Sequence, residues 1–87
     1  MIGIKDACRK ILSAHPNEYI HTVNEYDDIY EFVLLNKGEQ VSDTIGLIFA
    51  PVMDKLTGEI TEGLLLGERT FNKEPLKQYT DKDIKGL

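Results

Sequence analysis

The stretch Gly46-Leu47-Ile48-Phe49-Ala50-Pro51-Val52-Met53-Asp54-Lys55-Leu56-Thr57-Gly58-Glu59-Ile60 constrains the fold more than any other part of this chain. It contains the longest apolar run, then a Lys-Leu-Thr-Gly turn, then the start of another extended segment. An apolar run bounded by turn signals reads as a buried strand. Gly58 falls where a hairpin needs positive φ, and Asp54 reads as an Asx-type acceptor that closes the turn. Pro51 has no backbone donor, which argues for a sheet edge or a bulge near that point.

Upstream, Ile4, Ala7, Cys8, Ile11 and Leu12 fall at i, i+3, i+4, i+7 and i+8, one stripe of a helix over residues 3–14. Pro16 stops it and biases His15 away from helical angles. Residues 19–23 are β-branched and aromatic and read as a strand. A polar break over 24–28 reads as a hairpin turn into a second strand at 29–35. There Tyr30, Phe32 and Leu34 share one face, and Ile29, Glu31, Val33 and Leu35 the other. Both faces are largely apolar, so this strand is expected at the centre of a sheet or with its outer face covered. Asn36-Lys37-Gly38-Glu39 is a turn, and the polar stretch to Thr44 an extended connection.

Further strands are expected at 46–54 and 59–66, the latter interrupted by Gly63 and ended by Gly67. The predicted fold is α+β: an N-terminal helix packed on a three- to four-stranded antiparallel meander, two layers deep, over residues 1–67. Residues 68–87 form a polar C-terminal segment, with Phe71, Leu76, Tyr79 and Ile84 as isolated anchors. It reads as a covering tail or a partly disordered one. Thr80-Asp81-Lys82-Asp83 has the pattern of a capped helix start.

An 87-residue chain has room for one core. With 41% hydrophobic and 29% charged residues it has the composition of a globular domain. Ten basic residues against fifteen acidic ones, with no basic cluster, argue against nucleic-acid binding. No apolar run approaches the roughly 18–20 residues that cross a bilayer, so no membrane partner is expected. Charges at Lys5-Asp6 interrupt any signal-like apolar region, and a single cysteine offers no internal disulfide. The cytoplasm is the expected compartment.

The run Ala50-Pro51-Val52-Met53-Asp54-Lys55-Leu56-Thr57-Gly58-Glu59 resembles a hairpin of small immunity proteins of the YrhB type (the immunity-35-like group). That hairpin reads Ala-Pro, two hydrophobic residues, Asp, Lys or Arg, any residue, then Thr-Gly and Glu. Tyr30 and Phe32 stand for that group's aromatic strand and Gly46 for its glycine. Phe49, where a small residue is usual, and the absence of Trp depart from the pattern. A similar hairpin occurs in PepSY-type domains. The resemblance implies a small cytoplasmic protein that binds and blocks a toxin, and it carries over no catalytic residue.

The individual reactive residues read as structural. Cys8 lies on the apolar stripe, where a thiol acts as a small hydrophobe. One Cys and two His without ligand spacing fall short of a zinc site, so no metal or cofactor is expected. His15 reads as a helix terminator favoured by the dipole. His21 lacks the positioned partner that acid–base work needs. Glu25, Asp27, Asp28 and Glu31 cluster at a turn without a calcium-loop pattern and read as solvated charges or a contact for a basic partner. Leu64-Leu65-Leu66 cannot all face one core if they lie on a strand.

The expected function is therefore a non-enzymatic module that binds another protein or a second copy of itself, with Leu64, Leu65, Leu66, Asp27 and Asp28 as interface candidates. A structural homodimer through the leucines is the alternative. A small-molecule binder or enzyme with a pocket between helix and sheet, lined by His21 or Tyr30, is the third reading.

Overall fold

The computed structural model describes residues 1–37 and 49–87. Among these residues the chain forms α1 (Ile4–Ala14), β1 (Glu18–Glu25), β2 (Ile29–Asn36), β3 (Val52–Asp54), β4 (Ile60–Thr61), β5 (Lys77–Tyr79) and α2 (Asp81–Lys85). The fold is α+β, and its antiparallel sheet has five strands in the order β4-β3-β2-β1-β5.

α1 forms as its stripe dictates. Ala7, Cys8 and Ile11 are buried, Ile4 is half-buried and packs on the core, and Leu12 is at the margin. His15 ends the helix, its backbone N–H donating to the carbonyls of Ile11 and Leu12 at 3.0 and 3.2 Å. The stripe meets Tyr30, Phe32 and Leu34 of β2, Ile20 and Val23 of β1, Met53 of β3 and Tyr79 of β5. The two faces read for β2 hold, and its central place holds with them: Glu31, Val33 and Leu35, on the face turned away from α1, are buried as well.

Two features separate this sheet from the expected one. The first is length on the β3–β4 side. The strand expected at 59–66 is only Ile60–Thr61, because Gly63 at φ 78° and Gly67 at φ 83° turn the backbone out of the ladder. Among the described residues Leu64–Leu66 therefore lie on no strand, and the ladder contact of Leu65 is an isolated bridge with Phe49. The strand expected at 46–54 is Val52–Asp54, and residues 46–48 lie outside the described ones, as does the connection at 38–44. β3 is an inner strand rather than an edge, and Pro51 sits just before it, using its carbonyl to accept from Phe32 N–H at 3.0 Å.

The second feature is the C-terminal segment, which is part of the fold. β5 pairs with β1 through Val23–Tyr79, Asn24–Gln78 and Glu25–Lys77. α2 follows behind a cap in which the Asp83 carboxylate accepts from the Thr80 backbone N–H at 2.9 Å and hydroxyl at 3.0 Å. Ile84 then reaches back onto the α1 side of the core.

Candidate functional site

Residues 62–76 run along the sheet face opposite α1, and one carboxylate ties them down. Glu31, only 1% exposed, accepts from Asn24 Nδ2 at 3.3 Å, Gly67 N–H at 2.9 Å and the Thr70 hydroxyl at 3.1 Å. A buried carboxylate is tolerable only when its oxygens are met in this way. At the far end, Leu76 N–H donates to the Glu25 carbonyl at 2.7 Å and leads into β5.

The chain thus passes from the leucines to the β1–β2 turn. It thereby joins the two halves of the expected interface. Leu64 and Leu65 are half-buried, the Leu64 carbonyl accepting from Ala50 N–H at 2.8 Å. Leu66 lies beside Val33 and Leu35 at a concavity of about 240 Å³ whose rim carries His21, Thr22 and Gln78. Phe71 and Leu76 are 78% and 66% exposed, so two of the four anchors read in the C-terminal segment face solvent while Tyr79 and Ile84 pack inward.

Asp27 and Asp28 sit at the other end, in the turn closed by Tyr26 N–H on the Ile29 carbonyl at 2.9 Å. Together with Tyr26, Lys73, Glu74 and Leu76 they line a concavity of about 260 Å³. Three carboxylates and one ammonium leave it anionic. Neither Asp27 nor Asp28 is paired with a cation among the described residues.

Their neighbour Glu25 is engaged elsewhere. Its carboxylate accepts from Lys55 Nζ at 2.7 Å and the Tyr79 hydroxyl at 2.9 Å. Lys55 is 5% exposed, and its ammonium lies 5.0 Å from the centre of the Tyr30 ring. The Lys55 hydrogen bond, opposed by burial and helped by Tyr79, holds Glu25 below the usual carboxylate value. Burial first, then the Glu25 bond, pushes the Tyr79 phenol up to about 12. Burial also raises the Tyr30 phenol, with the Glu25 charge adding to it. Lys55 N–H donates to the Asp28 carbonyl at 3.0 Å, so this network holds the backbone of the acidic turn.

His15 ends α1 and His21 lies half-buried on β1, as read, but each makes contacts that the sequence does not name. A register shift between Ile20 and Thr22 makes His21 the extra residue of a β-bulge. It lines the concavity on the side away from α1, with Nδ1 2.7 Å from the Thr22 hydroxyl. The expected pocket between helix and sheet is not where it lies. Tyr30 does not line one either: it is a core residue whose hydroxyl donates to the Ile2 carbonyl at 3.1 Å. His15 bridges Glu18 and Glu62, a contact that reading the sequence missed because Glu62 is 47 positions away.

Cys8 is buried in the core, and burial pushes its thiol up to about 11, away from the reactive thiolate. Among the described residues no three His, Cys, Asp or Glu are grouped to hold a metal ion, and no helix is long and apolar enough to cross a membrane. No family model matches this sequence, and no match was found among curated proteins or solved structures.

Proposed function

We propose that this domain is a non-enzymatic protein-binding module that engages a basic partner at the acidic end of its sheet. The observation that carries the reading is the anionic concavity at the β1–β2 turn, where Asp27 and Asp28, without a cation partner among the described residues, stand beside the exposed Leu76. Lys and Arg side chains combine an apolar stem with a cationic head, and this surface offers a complement to each part. Carboxylates held at a rim also accelerate encounter with an oppositely charged protein. The hairpin resemblance suggests the partner class: a toxin that this protein blocks in the cytoplasm.

The test is association of the purified chain with the product of the gene encoded beside its own, together with rescue of growth when that neighbour is expressed. Asp27→Asn combined with Asp28→Asn is expected to weaken binding roughly tenfold and to flatten its dependence on salt. Binding that is unchanged by the double substitution would remove this site from the interface. A neighbour that neither binds nor inhibits growth would remove the toxin reading.

A second reading rests on Phe49 and Phe71, which are 61% and 78% exposed: association with a second copy of the chain. Sedimentation equilibrium across a wide concentration range separates the two. A concentration-dependent dimer that Phe71→Ser abolishes would favour self-association over a foreign partner.

A further inference from the structure

The His15 ring sits between two carboxylates. Nδ1 is 3.0 Å from Glu18 Oε1, at the start of β1, and Nε2 is 2.9 Å from Glu62 Oε1, in the segment that follows β4. Ionised carboxylates only accept hydrogen bonds, so both ring nitrogens must donate, which they do only as imidazolium. Among the described residues the charged groups facing the ring are these two carboxylates, and α1, which ends at the ring, has no basic residue in its last turn. Burial disfavours the charged ring, but the hydrogen bonds and charges of Glu62 and Glu18 outweigh it and raise its pKa above 6.5.

Among the described residues, the segment held by this contact has few other ties to the sheet. β4 is two residues long, and Gly63 and Gly67, both at positive φ, bracket the three leucines. Among the described residues, Ala50 N–H on the Leu64 carbonyl and the Phe49–Leu65 bridge tie the segment to its neighbours, Leu65 and Glu68 close a local turn through the Glu68 N–H and carboxylate, and Gly67 N–H then reaches Glu31. We propose that His15 is a proton-operated clasp: as imidazolium it fastens the Leu64–Leu66 segment to the α1–β1 junction, and on losing a proton it releases that segment from the sheet. Release uncovers the apolar side chains of Val33 and Leu35 beside Leu66. His15, Glu18 and Glu62 lie outside the acidic concavity of Asp27 and Asp28.

The test is NMR on the full chain. Imidazole nitrogen shifts of His15 report its protonation, and amide hydrogen exchange at Ala50 and Gly67 reports the fastening. Both ring nitrogens are expected to be protonated at pH 6.5, with titration at higher pH. Protection at both amides, corrected for intrinsic exchange rates, is expected to fall through that titration. Glu62→Gln, at a half-exposed side chain that leaves the core intact, should lower the His15 titration and uncouple the two amides from it. Titration of His15 at or below 6.5 would overturn the proposal. So would a raised titration with protection that stays flat, because the ion pair would then fasten nothing.

Discussion

Asn24, Gly67 and Thr70 converge on a single carboxylate, that of Glu31, buried on the side of the sheet away from the helix. Removing it would take the acceptor from three donors, of which the Thr70 hydroxyl is buried and the Asn24 amide and Gly67 N–H are half-buried. Buried donors left unpaired cost ~1–3 kcal/mol, so Glu31→Ala is expected to lower stability by about 3 kcal/mol in urea unfolding, with Glu31→Gln costing less. A Glu31→Ala protein as stable as the parent would show that residues 67–70 are not held this way. In the sequence Glu31 reads with the acidic turn as a solvated charge or a contact for a basic partner, and its burial at 1% exposure overturns the solvated reading. Its role as an acceptor was not legible there, because two of the donors lie 36 and 39 positions away. Cys8 was the opposite case: helical spacing alone put it in the core, where it is.

The β3–β4 hairpin shows what local chemistry settles at the scale of an element. Asp54 Oδ1 accepts from Leu56 N–H at 2.7 Å and Thr57 N–H at 3.1 Å, and Gly58 takes φ 74°, all within five residues. A β-branched residue resists that backbone, so Gly58→Val is expected to cost about 2 kcal/mol in urea, in line with strained φ/ψ positions. A new Cβ would also meet Lys10 Nζ at 2.8 Å, but that flexible end can swing away. An unchanged urea midpoint would mean that the turn does not require glycine. The capped start of α2 was legible for the same local reason. The lengths of β3 and β4 were not, since apolar Leu64–Leu66 resemble strand residues although two glycines turn the backbone away. β5 was missed because its three residues are mostly polar and gain their ladder only from β1, more than fifty positions upstream.

For the whole molecule, stability should pass through a maximum with pH. Glu25 is held below its ordinary 4.5, so its contribution is present above that value and is lost as pH falls through the lowered one. His15 is held above its ordinary 6.5, so its contribution is complete below that value and is lost as pH rises through the raised one. Tyr79, raised from 10 to about 12, adds a further loss across that interval. Urea midpoints measured against pH should therefore be highest between 4.5 and 6.5. His15→Gln should flatten the limb above pH 6.5 and leave the acid limb in place, and Glu25→Gln should do the reverse. A profile without the upper limb would show that the two carboxylates do not favour the charged ring.

The sequence by itself determined the class of fold, the helix and its buried stripe, the central strand with its two faces, and both local turn and cap motifs. Periodicity, capping and turn chemistry depend on residues a few positions apart, and those spacings can be read directly. Only the tertiary structure decided that the C-terminal segment adds a strand to the sheet, that His21 faces away from the helix, that Asp27 and Asp28 share a concavity with Leu76, and that His15 meets Glu62. Each depends on which distant segments share a face or an edge, and a one-residue bulge or a single positive-φ glycine redirects every side chain that follows.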